Sequence, residues 1–216
     1  MIYQCFHPET GKKTAQALLD IHAIKLSPEN PFTWASGWKS PIYCDNRLSL
    51  SYPAVRNAIK ESFAELIRHH FPEAEAIAGV ATAGIPQGVL VADVLGLPFL
   101  YVRAKSKSHG LANQIEGRYE KGMKVVVLED LVSTGGSSLA AVDALRDAGV
   151  DVQGMTCIFT YGFPQAEENF RAKKVDLVYL SEYSLLLSQA LSQGAIGSSE
   201  MDTLNEWRQD PAAWNQ

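Results

Sequence analysis

Val125-Val126-Val127-Leu128-Glu129-Asp130-Leu131-Val132-Ser133-Thr134-Gly135-Gly136-Ser137-Ser138-Leu139 is the stretch from which the fold is read. Its opening run of four apolar residues, rich in valine, describes a strand buried on both faces, the kind found in parallel sheets. Two carboxylates follow, then two apolar residues, then a run of Ser, Thr and Gly that leads into a helical segment over residues 137–148. A strand that passes through a small-residue turn into a helix is half of a βαβ unit.

The same alternation extends in both directions from that stretch. Short apolar runs at 76–80, 99–102, 124–128, 152–161 and 175–180 read as strands, and helical spacing recurs at 84–95, 137–148 and 165–173. Strands and helices in turn imply an α/β fold with a mainly parallel, twisted sheet, whose ligands gather at the C-terminal ends of the strands. Upstream, residues 12–24 and 52–71 have the spacing of amphipathic helices, and Ile42-Tyr43-Cys44 is strand-like. Downstream, residues 184–191 are apolar on several sides, and Ser199-Glu200-Met201-Asp202 has the pattern of a capping box for a last helix through Gln209.

Composition narrows the function classes. The chain has 216 residues, 46% hydrophobic and 20% charged, with a net charge of −5. That charge argues against wholesale binding to nucleic acid or an acidic membrane, though not against a local basic site. Residues 1–8 carry no basic region and no long apolar run, so no signal peptide is expected, and no apolar run approaches the length needed to span a bilayer. Cys5, Cys44 and Cys157 are odd in number and lack metal-ligand spacing, which fits a reducing, cytoplasmic setting. His69-His70 reads as a surface pair, and Trp207 and Trp214 as residues that dock the tail.

The central stretch has a chemistry of its own. A Gly/Ser/Thr turn at a helix start either caps the helix or cradles a phosphate, because its N–H groups converge where the helix dipole is positive. The hydroxyls of Ser133, Thr134, Ser137 and Ser138 would add donors, and adjacent carboxylates can hold sugar hydroxyls and stabilise positive charge. No Lys follows the glycines as in a Walker A loop, and the glycine spacing is not that of a dinucleotide fold. A second polar segment, over residues 103–110, sets Arg103, Lys105, Lys107 and His109 where the sheet would present them to an anion.

Taken in order, four apolar residues, two acidic, two apolar and a T/S-G-rich loop resemble the phosphoribosyl pyrophosphate (PRPP) signature of the type I phosphoribosyltransferases. The resemblance implies that Glu129, Asp130, Leu131, Val132, Ser133, Thr134, Gly135, Gly136 and Ser137 contact PRPP, the acidic pair at the ribose hydroxyls and the loop at the 5-phosphate. Arg103 to Gly110 is similar to a loop of the orotate-specific branch, which assigns Arg103, Lys107 and His109 to pyrophosphate. Phe32-Thr33-Trp34-Ala35-Ser36-Gly37-Trp38-Lys39-Ser40-Pro41-Ile42-Tyr43-Cys44-Asp45-Asn46-Arg47 resembles that branch's base-covering motif. It places Tyr43, with Ser133, at the base.

What the resemblance implies can be stated whole. The fold would be the type I phosphoribosyltransferase fold in a single domain, with an N-terminal hood over residues 1–50, a PRPP-binding core over 51–183 and a helical tail over 184–216. The activity would be phosphoribosyl transfer from PRPP to orotate, giving orotidine 5′-monophosphate and pyrophosphate in pyrimidine biosynthesis. Lys107, His109 and Asp130 would be its catalytic residues. Mg²⁺ would be carried by PRPP, with no metal ligand from the protein, and the enzyme would be a homodimer with shared active sites. A phosphoribosyltransferase for another base and a PRPP-sensing regulator are the competing readings; a regulator would be expected to add a DNA-binding segment. The chain departs from the pattern at Ala35 and near Gly162, where many relatives carry cations, and at Ala83, where some do, and Thr160-Tyr161-Gly162-Phe163 offers none. Lys39 and Arg47 are the candidates to replace them at the base's carboxylate.

Overall fold

Alternation within each strand sorts its side chains onto two faces, and this decides where the helices go. The computed structural model describes residues 2–34, 37–104 and 114–214. In chain order the elements are β1 (Tyr3–Cys5), α1 (Pro8–Asp20), β2 (Ile24–Leu26), β3 (Phe32–Thr33), β4 (Lys39–Ser40), β5 (Ile42–Cys44), a 3₁₀ turn (Asn46–Ser51), α2 (Pro53–His70), β6 (Ala76–Val80), α3 (Gly84–Leu95), β7 (Phe99–Val102) and β8 (Ile115–Glu116). They continue with β9 (Lys124–Val132), α4 (Gly136–Asp147), β10 (Asp151–Thr160), α5 (Pro164–Lys173), β11 (Leu177–Glu182), α6 (Tyr183–Ser192) and α7 (Ser198–Gln209).

The described residues form a seven-stranded sheet in the order β1-β11-β10-β9-β6-β7-β8. Its pairings are parallel except for β8, which runs antiparallel to β7. Along β9, Val126 and Leu128 enter the core formed with Leu18, Phe63, Val91, Leu186 and Trp207, whereas Val125 and Val127 enter the core formed with Leu139, Val142, Leu145 and Phe170. Helices α1, α2, α3, α6 and α7 therefore cover one face, and α4 and α5 the other. The chain turns to one side after β6 and to the other after β9, so the switch in strand order falls between them. A crevice opens at such a point, beyond the carboxyl ends of the two strands.

Several expectations about element ends are corrected. The first helix starts at Pro8 rather than Lys12 and stops at Asp20, because proline is suited to the first helical turn and His22 takes a left-handed conformation at φ 55°. Ile24 consequently begins a strand instead of ending the helix. β9 does not stop at Leu128. It runs through Glu129 and Asp130 to Val132, since the ladder with β10 continues to the Thr160–Val132 pair. The last helix is capped by Glu200, whose carboxylate accepts from the Gly197 N–H at 2.8 Å, so the cap lies two residues before Ser199. Trp207 and Trp214 are buried in the core, where they anchor the tail. No helix among the described residues is long and apolar enough to cross a membrane.

Before α2, the chain folds into two small antiparallel ribbons, β2 with β5 and β3 with β4. The indole N–H of Trp34 ties one to the other by donating to the Ile42 carbonyl at 3.1 Å, and the Asp45 N–H extends the β2–β5 ribbon by donating to the Ala23 carbonyl at 2.7 Å.

Candidate active site

The end of β9 carries the acidic pair into the crevice. Glu129 points inward and is buried; its Oε1 accepts the Asp130 N–H at 3.0 Å and its Oε2 the Ser138 hydroxyl at 3.3 Å. Asp130 is the more open of the two. Burial, reinforced by the Asp130 charge, pushes the Glu129 carboxyl well above the usual carboxylate range. Burial raises Asp130 as well, although its hydrogen bonds and the Arg47 charge oppose the rise. Two neighbouring carboxylates, one of them buried, concentrate negative potential there, which suits a group that becomes cationic beside them.

Past β9 the chain turns through residues 133–135 into α4. Gly135 takes φ 82° and precedes the first residue of α4, a conformation that side chains rarely adopt. A Cβ there would come within 2.7 Å of the Phe170 ring. The turn is also held from α5, where the Asn169 amide donates to the Thr134 carbonyl at 2.9 Å. Ser133 and Thr134 are half-buried, and Gly136 and Ser137 face outward at the helix N-terminus. The side chains of Leu131 and Val132 are not available to a ligand in the same way. Val132 is fully buried and Leu131 packs on the core, so any contact from Val132 is through its main chain.

Facing that turn is the short link from β6 into α3, residues 81–83. Gly84 packs so closely on β9 that a Cβ would lie 2.5 Å from the Leu128 carbonyl oxygen. A cavity of about 80 Å³ between the two turns is bordered by Ala81, Arg103, Gln114 and Ser137. Arg103 is held there by its main chain, with its N–H donating to Gln114 at 2.9 Å and its carbonyl accepting the Gln114 amide at 2.8 Å, and its guanidinium lies 3.6 Å from Glu116. Lys105, Lys107 and His109 lie outside the described residues, as does Ala35.

The hood reaches the same place. The Asn46 amide, buried, donates to the Asp130 carbonyl at 2.8 Å. Tyr43 is exposed on β5, its ring 5.7 Å from that of Phe32. Lys39 donates to the Thr33 hydroxyl at 2.9 Å, and Arg47 grips Asp45 with two bonds of 2.6 and 2.9 Å. The stretch 160–163 does have a cation beside it. Arg208 of α7 donates to the Gly162 carbonyl at 3.1 Å, across 46 residues of sequence. No local pattern announces that contact.

The comparisons with known proteins agree with this geometry. The family model described as "Phosphoribosyl transferase domain" matches residues 50–181. An orotate phosphoribosyltransferase of Bacteroides thetaiotaomicron is 59% identical over 201 residues, covering 93% of this chain and 95% of the relative. The chain belongs to the orotate phosphoribosyltransferases. Another member, from Cytophaga hutchinsonii, is 53% identical over 95% of this chain and 98% of its own. The crystal structure of the orotate phosphoribosyltransferase from Aeropyrum pernix superposes with a TM-score of 0.74 at 29% identity, covering 85% of this chain and 99% of that one. The fold expected for the family, a mostly parallel sheet flanked by helices, is the fold observed. In this member, position 162 is glycine and a guanidinium is delivered to it from the last helix.

Proposed function

We propose that the chain transfers the 5-phosphoribosyl group of PRPP to orotate, forming orotidine 5′-monophosphate and releasing pyrophosphate. The observation that carries this reading is the convergence, at the switch point of the sheet, of an acidic pair, a phosphate-type turn and a hood tied to Asp130. In the reaction the bond from the ribose anomeric carbon to pyrophosphate breaks, its electron pair leaving with the pyrophosphate. A new bond forms from that carbon to a ring nitrogen of the base, the proton of that nitrogen is given up to the departing pyrophosphate, and the carbon is cationic in between.

In this reading each described residue is given a role that suits its position, and Lys107 and His109 take theirs from the sequence resemblance. Ser133, Thr134, Gly135, Gly136 and Ser137 receive the 5-phosphate at the start of α4, where unpaired N–H groups and the helix dipole favour an anion. Asp130, with Glu129 behind it, holds the ribose hydroxyls and balances the cationic carbon. Arg103 lies at the pyrophosphate side, with Lys107 and His109 assigned there to stabilise or protonate the leaving group. Tyr43 and Ser133 flank the base. Most of the acceleration comes from positioning and electrostatics, with no covalent protein nucleophile.

The cation-starved carboxylate pair also fits a dication that arrives on the substrate. Mg²⁺ bound to pyrophosphate and ribose oxygens would neutralise the leaving group, as befits an ion that keeps few protein ligands. Homodimer formation with shared sites and a cytoplasmic setting complete the proposal, the latter supported by three free thiols. The test is direct. Purified protein given PRPP and Mg²⁺ should consume orotate, seen as loss of its ultraviolet absorbance. Turnover of uracil or a purine without turnover of orotate would refute the choice of base.

A further inference from the structure

The guanidinium of Arg208 fills the space into which a side chain at position 162 would project. A Cβ built on Gly162 would come 2.8 Å from Arg208 Nη2. Gly162 stands two residues beyond β10, whose last register pair sets Thr160 against Val132, the residue before Ser133. Arg208 is thus one strand away from the phosphate turn, at the carboxyl edge of the sheet. It is also on the hood side, because the indole of its neighbour Trp207 donates to the Lys39 carbonyl at 3.2 Å. One aromatic ring lies against it, with Tyr183 5.8 Å from its Cζ, while Trp34, Tyr161 and Phe163 pack around the neighbouring Trp207.

Its electrostatic situation differs from that of the other cations near this edge. Arg47 is closed by Asp45 in a two-point pair, Arg103 faces Glu116 from the end of β7, and Lys39 is bonded to Thr33. Arg208 is half-buried, and among the described residues it has no carboxylate within ion-pair distance. One hydrogen bond to a carbonyl uses one of the five N–H donors that a guanidinium carries. A partly desolvated guanidinium with unused, forked donors is matched by a planar carboxylate.

We propose that Arg208 is the specificity-determining residue for the base, receiving the carboxylate that distinguishes orotate from uracil. The assignment rests on the proposed reaction. It gives the C-terminal helix a direct part in recognition. Helix α7 carries a cation to the link that follows β10, and Gly162 in that link leaves the room the guanidinium needs.

Steady-state kinetics of Arg208→Gln and Arg208→Lys, varying orotate and PRPP separately, test this. Arg208→Gln should raise the KM for orotate roughly 10- to 100-fold, the range for losing a hydrogen-bonded charge, while the KM for PRPP stays within about twofold. Arg208→Lys should fall between it and the wild type. The preference for orotate over uracil, as a ratio of kcat/KM, should collapse in Arg208→Gln because uracil has no carboxylate to lose. Wild-type protein that fails to use orotate refutes the reaction itself. Wild-type turnover with an unchanged orotate KM in Arg208→Gln overturns only the role of Arg208. Should Arg208→Gln not fold, Gly162→Ala displaces the guanidinium with Arg208 retained; it should raise the orotate KM alone, and an unchanged value overturns the assignment.

Discussion

The side-chain amide of Asn46 donates to the main-chain carbonyl of Asp130 at 2.8 Å, and through this bond the hood is fastened to the acidic pair. The other end of the amide is engaged too, its oxygen accepting the Cys44 thiol at 3.3 Å. From Asn46 a polar chain continues inward. Ser49 donates to the Asn46 carbonyl at 2.6 Å, and the Gln87 amide reaches the Ser49 hydroxyl at 3.3 Å. Hood, β9 and α3 meet in one buried network, which is the arrangement expected to fix the carboxylates relative to whatever the hood covers.

Replacing Asn46 with Ala removes that donor from a buried carbonyl and should cost about 1–3 kcal/mol of stability. Asn46→Asp should cost more, since it exchanges the donor for an acceptor and adds charge next to Glu129 and Asp130. Urea unfolding gives the stabilities and initial rates the activities; kcat/KM should fall in the same order. An Asn46→Asp variant as stable as the wild type would refute the role given to this bond.

Glu129 should make the unliganded chain less stable at neutral pH than it would otherwise be. Burial, then the Asp130 charge, hold its carboxyl above the usual range in the folded state. A group raised in this way supports folding below its unfolded pKa, and the support is lost as pH rises through the folded value. Glu129→Gln removes the loss, so it should melt above the wild type at neutral pH, by about 2–4 °C for each kcal/mol relieved, with the gap narrowing in acid. Activity should fall, the usual exchange between stability and a strained site. Melting curves across pH decide the matter, and a wild type that melts higher at neutral pH contradicts it.

Why some of this was legible in the sequence and some was not has physical reasons. Between Ala76 and Leu180 the strands and helices other than the two-residue β8 are long enough to show their own period, so β6, α3 and β7 appear with the bounds expected. β9 looks shorter in the sequence than in the fold because Glu129 and Asp130 break its apolar run, while the pairing that extends it belongs to β10. β1, β3 and β4 have two or three residues each, too few for any period. The Gly/Ser/Thr turn over residues 133–138 is contiguous and so declares itself. Arg208 meets Gly162 only through the packing of α7, and the sequence around Gly162 could show no more than an empty place.

Gly135→Ala should separate the phosphate turn from the rest of the site. The left-handed backbone and the nearby Phe170 ring both oppose a Cβ, so a cost of about 1–3 kcal/mol is expected. Because the turn holds the 5-phosphate in the proposed reaction, the KM for PRPP should rise more than that for orotate. The opposite ordering would place the phosphate elsewhere.

Trp207 joins tail, hood and β10, and its removal should be felt in all three. Its side chain is fully buried, with ring centres of Trp34, Phe163 and Tyr183 at 5.5–5.6 Å and Tyr161 at 5.8 Å. Trp207→Ala leaves a cavity among these rings and should cost about 3–5 kcal/mol. Trp207→Phe keeps most of the apolar contact but loses the bond to the Lys39 carbonyl, so its cost should be nearer to about 1 kcal/mol. Since Arg208 follows directly, a shift of α7 moves the guanidinium away from Gly162. Trp207→Phe should therefore raise the KM for orotate by several-fold while that for PRPP stays nearly constant. Equal changes in both constants would mean that the tail supports the fold as a whole and has no particular bearing on the base.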